Sequence, residues 1–183
     1  MTAILYRLAL VTLLTLLAAF TGGLILQQSP TDMRFYLHFF LGLFAVFLAL
    51  AVHCLVFIYF LGTGRWVKEV AQAYRIPDVP LPKLTRELKR GTFPVALAAM
   101  LVAIATAAAG TAAQRQEWPW TIHFSLALVT LLVNLWAFWV ELRNVRINAG
   151  LLDDVMHEVD RIRAESGLNS NADALRQAEL RDE

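Results

Sequence analysis

The chain holds one cysteine, Cys54, so no internal disulfide is available to it. Charge is also scarce: 17% of the 183 residues, gathered in a few short stretches, against 58% hydrophobic. The net charge of +1 says nothing about nucleic acid, but no basic stripe interleaves with aromatics, so nucleic acid is not an expected partner. No Ser/His/Asp set, phosphate-cradling loop or zinc-protease motif occurs, so hydrolytic and phosphoryl-transfer chemistry have no signature here.

Long apolar runs take the place of these features. Four of them, at about 8–26, 35–61, 93–113 and 118–142, are long enough to cross a bilayer, since a spanning helix needs roughly 20 residues. They consume most of the chain and leave no room for an independent soluble domain. Arg7 before a Leu/Ala-rich stretch imitates a secretory signal, but the run is longer than a signal core and is expected to stay as an uncleaved first span. The expected fold is all-α: an integral membrane four-helix bundle, up-down-up-down, over residues 1–148, with a cytoplasmic amphipathic helix and polar tail over 149–183.

Lys and Arg set the orientation. Arg65, Lys68, Arg75, Lys83, Arg86, Lys89 and Arg90 lie between spans two and three, and Arg143, Arg146, Arg161 and Arg163 follow span four. The other two connections carry only Arg34 and Arg115. Both termini and the 62–92 loop are therefore expected on the cytoplasmic side of a bacterial-type inner membrane.

Within that loop, Gly62-Thr63-Gly64 is expected to break the second span. Trp66, Val67, Val70 and Tyr74 against Lys68, Glu69 and Gln72 suit a short interfacial helix, and Pro77, Pro80 and Pro82 an extended stretch. After span four, Leu151, Leu152, Val155, Met156, Val159 and Ile162 fall at helical spacing opposite Asp153, Asp154, Glu158 and Asp160. That face suits the membrane surface or a second copy, making a homodimer. From Ser166 the tail is expected to fray. His157, flanked by Asp153 and Asp160, reads as part of a solvated face.

Two histidines near span starts share a setting: Leu37-His38-Phe39-x-Leu41 and Ile122-His123-Phe124-x-Leu126. An imidazole in hydrocarbon is costly and points to function. Spans two and four run in one direction, so both rings lie at one depth, in the outer third of the bilayer, where they suit the two axial faces of a haem. Interhelical hydrogen bonding is the plainer alternative, but at about 0.6 kcal/mol per bond it returns little for burying two imidazoles. Small residues close the preceding span of each pair, Thr21-Gly22-Gly23 and Ala109-Gly110-Thr111, as in a duplicated hairpin. Gly22, Gly23 and Gly110 leave room for a flat macrocycle, Gly42 clears space below His38, and Arg34 is placed for a propionate. Trp118 and Trp120 suit an outer aromatic belt.

His53 lies fifteen positions after His38, on a similar face and roughly 22 Å further along the helix. It is a candidate metal ligand with Cys54 or Met100, a set suited to copper. It is equally a candidate proton-relay residue with Tyr59 or Glu141.

On His38 and His123 in parallel spans, with His53 further along the second, the chain resembles the four-helix membrane b-type cytochromes over its four spans. The resemblance implies a haem b bundle that passes electrons between a membrane quinol and a partner redox protein. Phe138 stands where a span-four partner for His53 would be, which removes the obvious ligand pair for an inner haem. A copper-binding or mixed haem and copper membrane protein is the first alternative. A non-enzymatic membrane scaffold is the second.

Overall fold

The computed structural model describes residues 2–25 and 33–182, and these form five helices and no strand. They are α1 (Thr2–Ile25), α2 (Met33–Tyr74), α3 (Leu81–Gln114), α4 (Trp120–Glu165) and α5 (Asn171–Asp182). The first four are long and apolar enough to cross a membrane. The expected end of the first span at residue 26, and the polar turn after it, lie outside the described residues.

Helix boundaries differ from the sequence expectation on one side only. α2 runs unbroken through Gly62-Thr63-Gly64 for 42 residues, and α4 continues through the expected boundary for 46. At 1.5 Å per residue, roughly 60–70 Å, each is about twice the hydrocarbon thickness. Each interior glycine costs about 1 kcal/mol against alanine, a penalty that packing on either side offsets. Phe60 and Val67 flank the glycines and are wholly buried, and Thr63 returns its hydroxyl to the Tyr59 carbonyl at 2.8 Å. α3 likewise starts at Leu81, with Pro82 in its first turn, where a missing N–H costs nothing.

Contacts fix the helix directions. α1 lies antiparallel to α2, with Gly23 against His38 at one end and Leu5 beside Val56 at the other. α3 lies antiparallel to α4, through Thr106–Thr130 and Thr92–Asn144. α2 and α4 run the same way, as His38–His123, His53–Glu141 and Thr63–Asn148 show. Close approach relies on small residues: Ala45, Ala49, Ala96, Ala99, Ala103 and Ala137 are almost fully enclosed. The interior also buries Thr12, His53, Asn134, Glu141 and Asn148, while Phe47, Leu132 and Trp139 are exposed on the outside. Polar groups inside and large apolar groups outside invert the pattern of a water-soluble core.

Beyond this body, Val67 and Ile76 pack on Val155 and Val159, with Val70, Tyr74, Leu152 and Ile162 around them. The amphipathic 151–162 stretch is therefore not a separate helix. It is the end of α4, and its apolar face is covered by the continuation of α2. Truncating this contact with Val155→Ala should cost about 2 kcal/mol, seen as faster amide exchange over residues 62–80 and 150–163 with the rest unchanged.

The α2–α3 turn is clasped by Arg86, whose guanidinium donates to both Asp78 carboxylate oxygens at 2.7 Å. That bond holds the Asp78 carboxyl below the usual carboxylate range. The clasp's contribution is therefore full above about pH 4 and is lost as acid titrates the lowered group. After α4 the chain turns at Gly167, whose left-handed φ of 72° suits a residue without Cβ. Where fraying was expected, α5 begins: Ser170 Oγ accepts from the Asp173 N–H at 3.2 Å and donates to the Asp173 carboxylate at 2.8 Å. These two bonds cap the helix.

Candidate functional site: two imidazoles at an apolar cavity

His38 and His123 stand on the two parallel helices at one level, half-buried, their ring centres 6.3 Å apart. A metal–imidazole bond of about 2.0–2.1 Å, with the ring centre about 1.1 Å behind its nitrogen, puts two imidazoles on opposite sides of one metal at a centre separation of about 6 Å. The observed spacing matches.

Each ring is seated in the same way. An ideal Cβ on Gly23 would come 2.9 Å from His38 Cε1, and one on Gly110 would come 2.9 Å from His123 Cε1. Only glycine admits the rings so near the neighbouring helix. Four residues before each glycine a carbonyl faces the ring. That of Thr106 meets His123 Nδ1 at 3.0 Å, which assigns Nδ1 as the N–H and leaves the Nε2 lone pair for a ligand. Ala19 holds the equivalent place beside His38, but its carbonyl misses hydrogen-bond geometry, and His38 Nδ1 has no partner among the described residues. Carbonyl, glycine and histidine thus recur 87, 87 and 85 residues apart, so the two hairpins are built alike around the site.

A cavity of about 510 Å³ opens beside the rings, within the range that holds small-molecule ligands. Ala19, Phe20, Phe35, Gly42, Gly110 and Trp120 help line it. Phe20 stacks on Phe124 at 5.7 Å across α1 and α4. Gly42 lines the cavity, and an added Cβ there would meet nothing within 4 Å. An added Cβ would meet nothing within 4 Å at Gly22, whereas Gly23 lies against the His38 ring. Arg34 lies exposed one turn before His38.

The second candidate set does not converge. His53 is wholly buried, with Nδ1 2.7 Å from Glu141 Oε1 and Nε2 3.1 Å from Asn134 Oδ1, so neither nitrogen is free for a metal. Cys54 is exposed, about 100° around the helix, and Met100 is buried in α3. Phe138 stacks flat on the His53 ring at 4.7 Å and fills the space an inner macrocycle would need. Among the described residues no three His, Cys, Asp or Glu side chains gather as a metal group. His157 is exposed, as a solvated face requires.

Asn134, Thr130 and Thr106 escaped the sequence reading. Asn134 donates to the Thr130 carbonyl at 2.9 Å, and the Thr130 and Thr106 hydroxyls are hydrogen-bonded. An asparagine in the apolar run Leu131-Leu132-Val133-Asn134-Leu135 was the available signal, since amides inside a span seek partners. Comparisons with protein-family models, curated proteins and solved structures give no match.

If the glycine seats set ring position, Gly110→Ala or Gly23→Ala should lower affinity for a group held by the two imidazoles by about tenfold or more, measured by titrating haem into purified apoprotein. Gly22→Ala should leave it unchanged.

Proposed function

We propose that this chain is an integral membrane four-helix bundle, up-down-up-down, that binds haem b between His38 and His123 and serves as a redox or electron-transfer component. The observation that carries this reading is the pair of like-seated imidazoles 6.3 Å apart beside an apolar cavity. A bare ion would want three or four protein ligands, whereas a haem brings four nitrogens of its own and asks the protein for two. The residues present fit that demand.

When bound, the haem supplies one-electron redox chemistry at its iron. His38 and His123 would hold it, His123 through the Nε2 that its Nδ1–H bond leaves free. The Thr106 carbonyl fixes the His123 tautomer and ring orientation, while Gly23 and Gly110 let the rings seat against α1 and α3. Phe20, Phe35 and Trp120 exclude water, which tunes the potential. Arg34, exposed one turn before His38, would offer positive charge to the group's carboxylates.

The bilayer is the medium this reading supplies for the apolar outer surface, and the Lys/Arg-rich extensions of α2, α3 and α4 support a cytoplasmic side for both termini. The haem is then near the outer surface, within reach of a membrane quinol on one side and a partner redox protein on the other. The test is expression of the full chain in haem-replete cells and optical spectroscopy of the purified protein. A Soret band that shifts and sharpens on reduction, with haem equimolar to chain, supports the reading. A colourless protein refutes it.

A further inference from the structure

About 22 Å along α2 from His38, an imidazole and a carboxyl group lie face to face with solvent excluded from both: His53 and Glu141. Ionisable groups at such depth mark proton relays and ion paths. Hydrogen-bond accounting defines the state of this pair. Asn134 Nδ2 donates to the Thr130 carbonyl, so its Oδ1 faces His53 Nε2, and that nitrogen must carry a hydrogen. One proton then lies in the 2.7 Å bond between Nδ1 and Glu141 Oε1. Whichever atom owns it, the pair is neutral overall, as burial demands.

Glu141 Oε2 is left over. It is buried and has no partner among the described residues, and the same holds for Asn148 Oδ1 two turns along α4. The Tyr59 hydroxyl donates to the Val145 carbonyl, one turn along α4 from Glu141, at 3.4 Å and accepts from Asn148 at 3.1 Å. Asn148 also donates to Thr63, which is half-buried at the end nearest the helix extensions. Enclosed acceptors without protein partners are the setting that ordered water satisfies. Around the pair, α1 buries Leu5, Ala9 and Thr12, and α3 buries Ala99 and Ala103. None of these titrates; α2 carries Tyr59 and the exposed Cys54 thiol nearby, and on α4 the exposed Arg143 follows Glu141.

We propose that the His53–Glu141 pair is a proton-binding site fed from the Tyr59–Asn148 side. It holds one proton at rest and takes a second, from solvent, on Glu141 Oε2 when an electron reaches the histidine cavity. The last clause rests on the haem reading; the proton site itself does not. Charge balances: an external one-electron reductant adds one negative charge at the cavity and one solvent proton adds a positive charge, with no covalent bond of the protein broken. Over about 22 Å at an effective dielectric near 20, each charge biases the other's equilibrium roughly three- to fourfold.

The test uses the haem-loaded full chain and Glu141→Gln, whose amide still donates to His53 Nδ1. The pH-induced change in the reduction equilibrium should be larger in wild type than in the variant by roughly three- to fourfold, or roughly 30 mV for one electron. Reduced-minus-oxidised infrared spectra of wild type should show a carboxylic-acid C=O band that shifts in heavy water and on carbon-isotope labelling of glutamate, an assignment that needs no variant. Coincident titrations and no such band overturn the proposal. Should the protein carry no pigment, the haem reading fails by itself, and pH-difference infrared spectra between about pH 8 and pH 5 decide the proton site. A Glu141-dependent carboxyl band upholds it, and its absence overturns it.

Discussion

On the proposed haem reading, alanine at either His38 or His123 should leave the purified protein without pigment. Losing one of two axial bonds weakens the hold on the macrocycle, so haem content should fall about tenfold or more. Residual pigment should be five-coordinate, with a broadened Soret band. His123→Ala should have the larger effect, because the Thr106 carbonyl preorganises that ring at 3.0 Å whereas the His38 Nδ1 is unpaired. Cys54→Ala is the control: the thiol is exposed, and its loss should leave the spectrum unchanged. Retention of a wild-type spectrum by either histidine variant would remove that imidazole from the ligand set.

The second large effect concerns stability. Glu141→Ala leaves the His53 Nδ1 without its 2.7 Å partner in a fully enclosed site. Removing one member of a buried pair costs about 3–5 kcal/mol, to which the emptied volume adds. Glu141→Gln keeps the shape and one donor, so its cost should be a small part of that. His53→Ala should resemble Glu141→Ala, and the double variant should cost less than the sum of the two, because the partners share one interaction. Thermal unfolding in detergent, followed by far-ultraviolet circular dichroism, reads all four variants. Equal melting of Glu141→Ala and wild type would mean that the pair contributes nothing to the fold.

Particular residues show what the sequence made legible. The four apolar helices could be read because an 18-residue apolar window has few other uses, and the His38–His123 pairing followed from equal depth on same-direction helices. Helix ends were harder. Gly62 and Gly64 look like breakers in isolation, yet Val67 and Val155 meet across α2 and α4 and carry both helices through. That contact lies 88 residues apart in the chain, beyond any local pattern. Helix α5 was hidden for a similar reason, since its start depends on the reciprocal Ser170–Asp173 bonds rather than on an apolar stripe.

At the site, His53 shows the same limit. Its spacing from His38 invited a ligand reading, and only the packing of Glu141, Asn134 and Phe138 around the ring decided its partners. Gly22 and Gly23 are adjacent and chemically identical in sequence. Helix rotation alone selects Gly23 to face His38.

Electron paramagnetic resonance of the oxidised, full-length protein, with haem quantified against chain, tests the central claim most directly. Two imidazoles on one iron predict a low-spin ferric signal from one haem per chain. A high-spin signal in freshly purified protein, or no haem at all after expression in haem-replete cells, would contradict it.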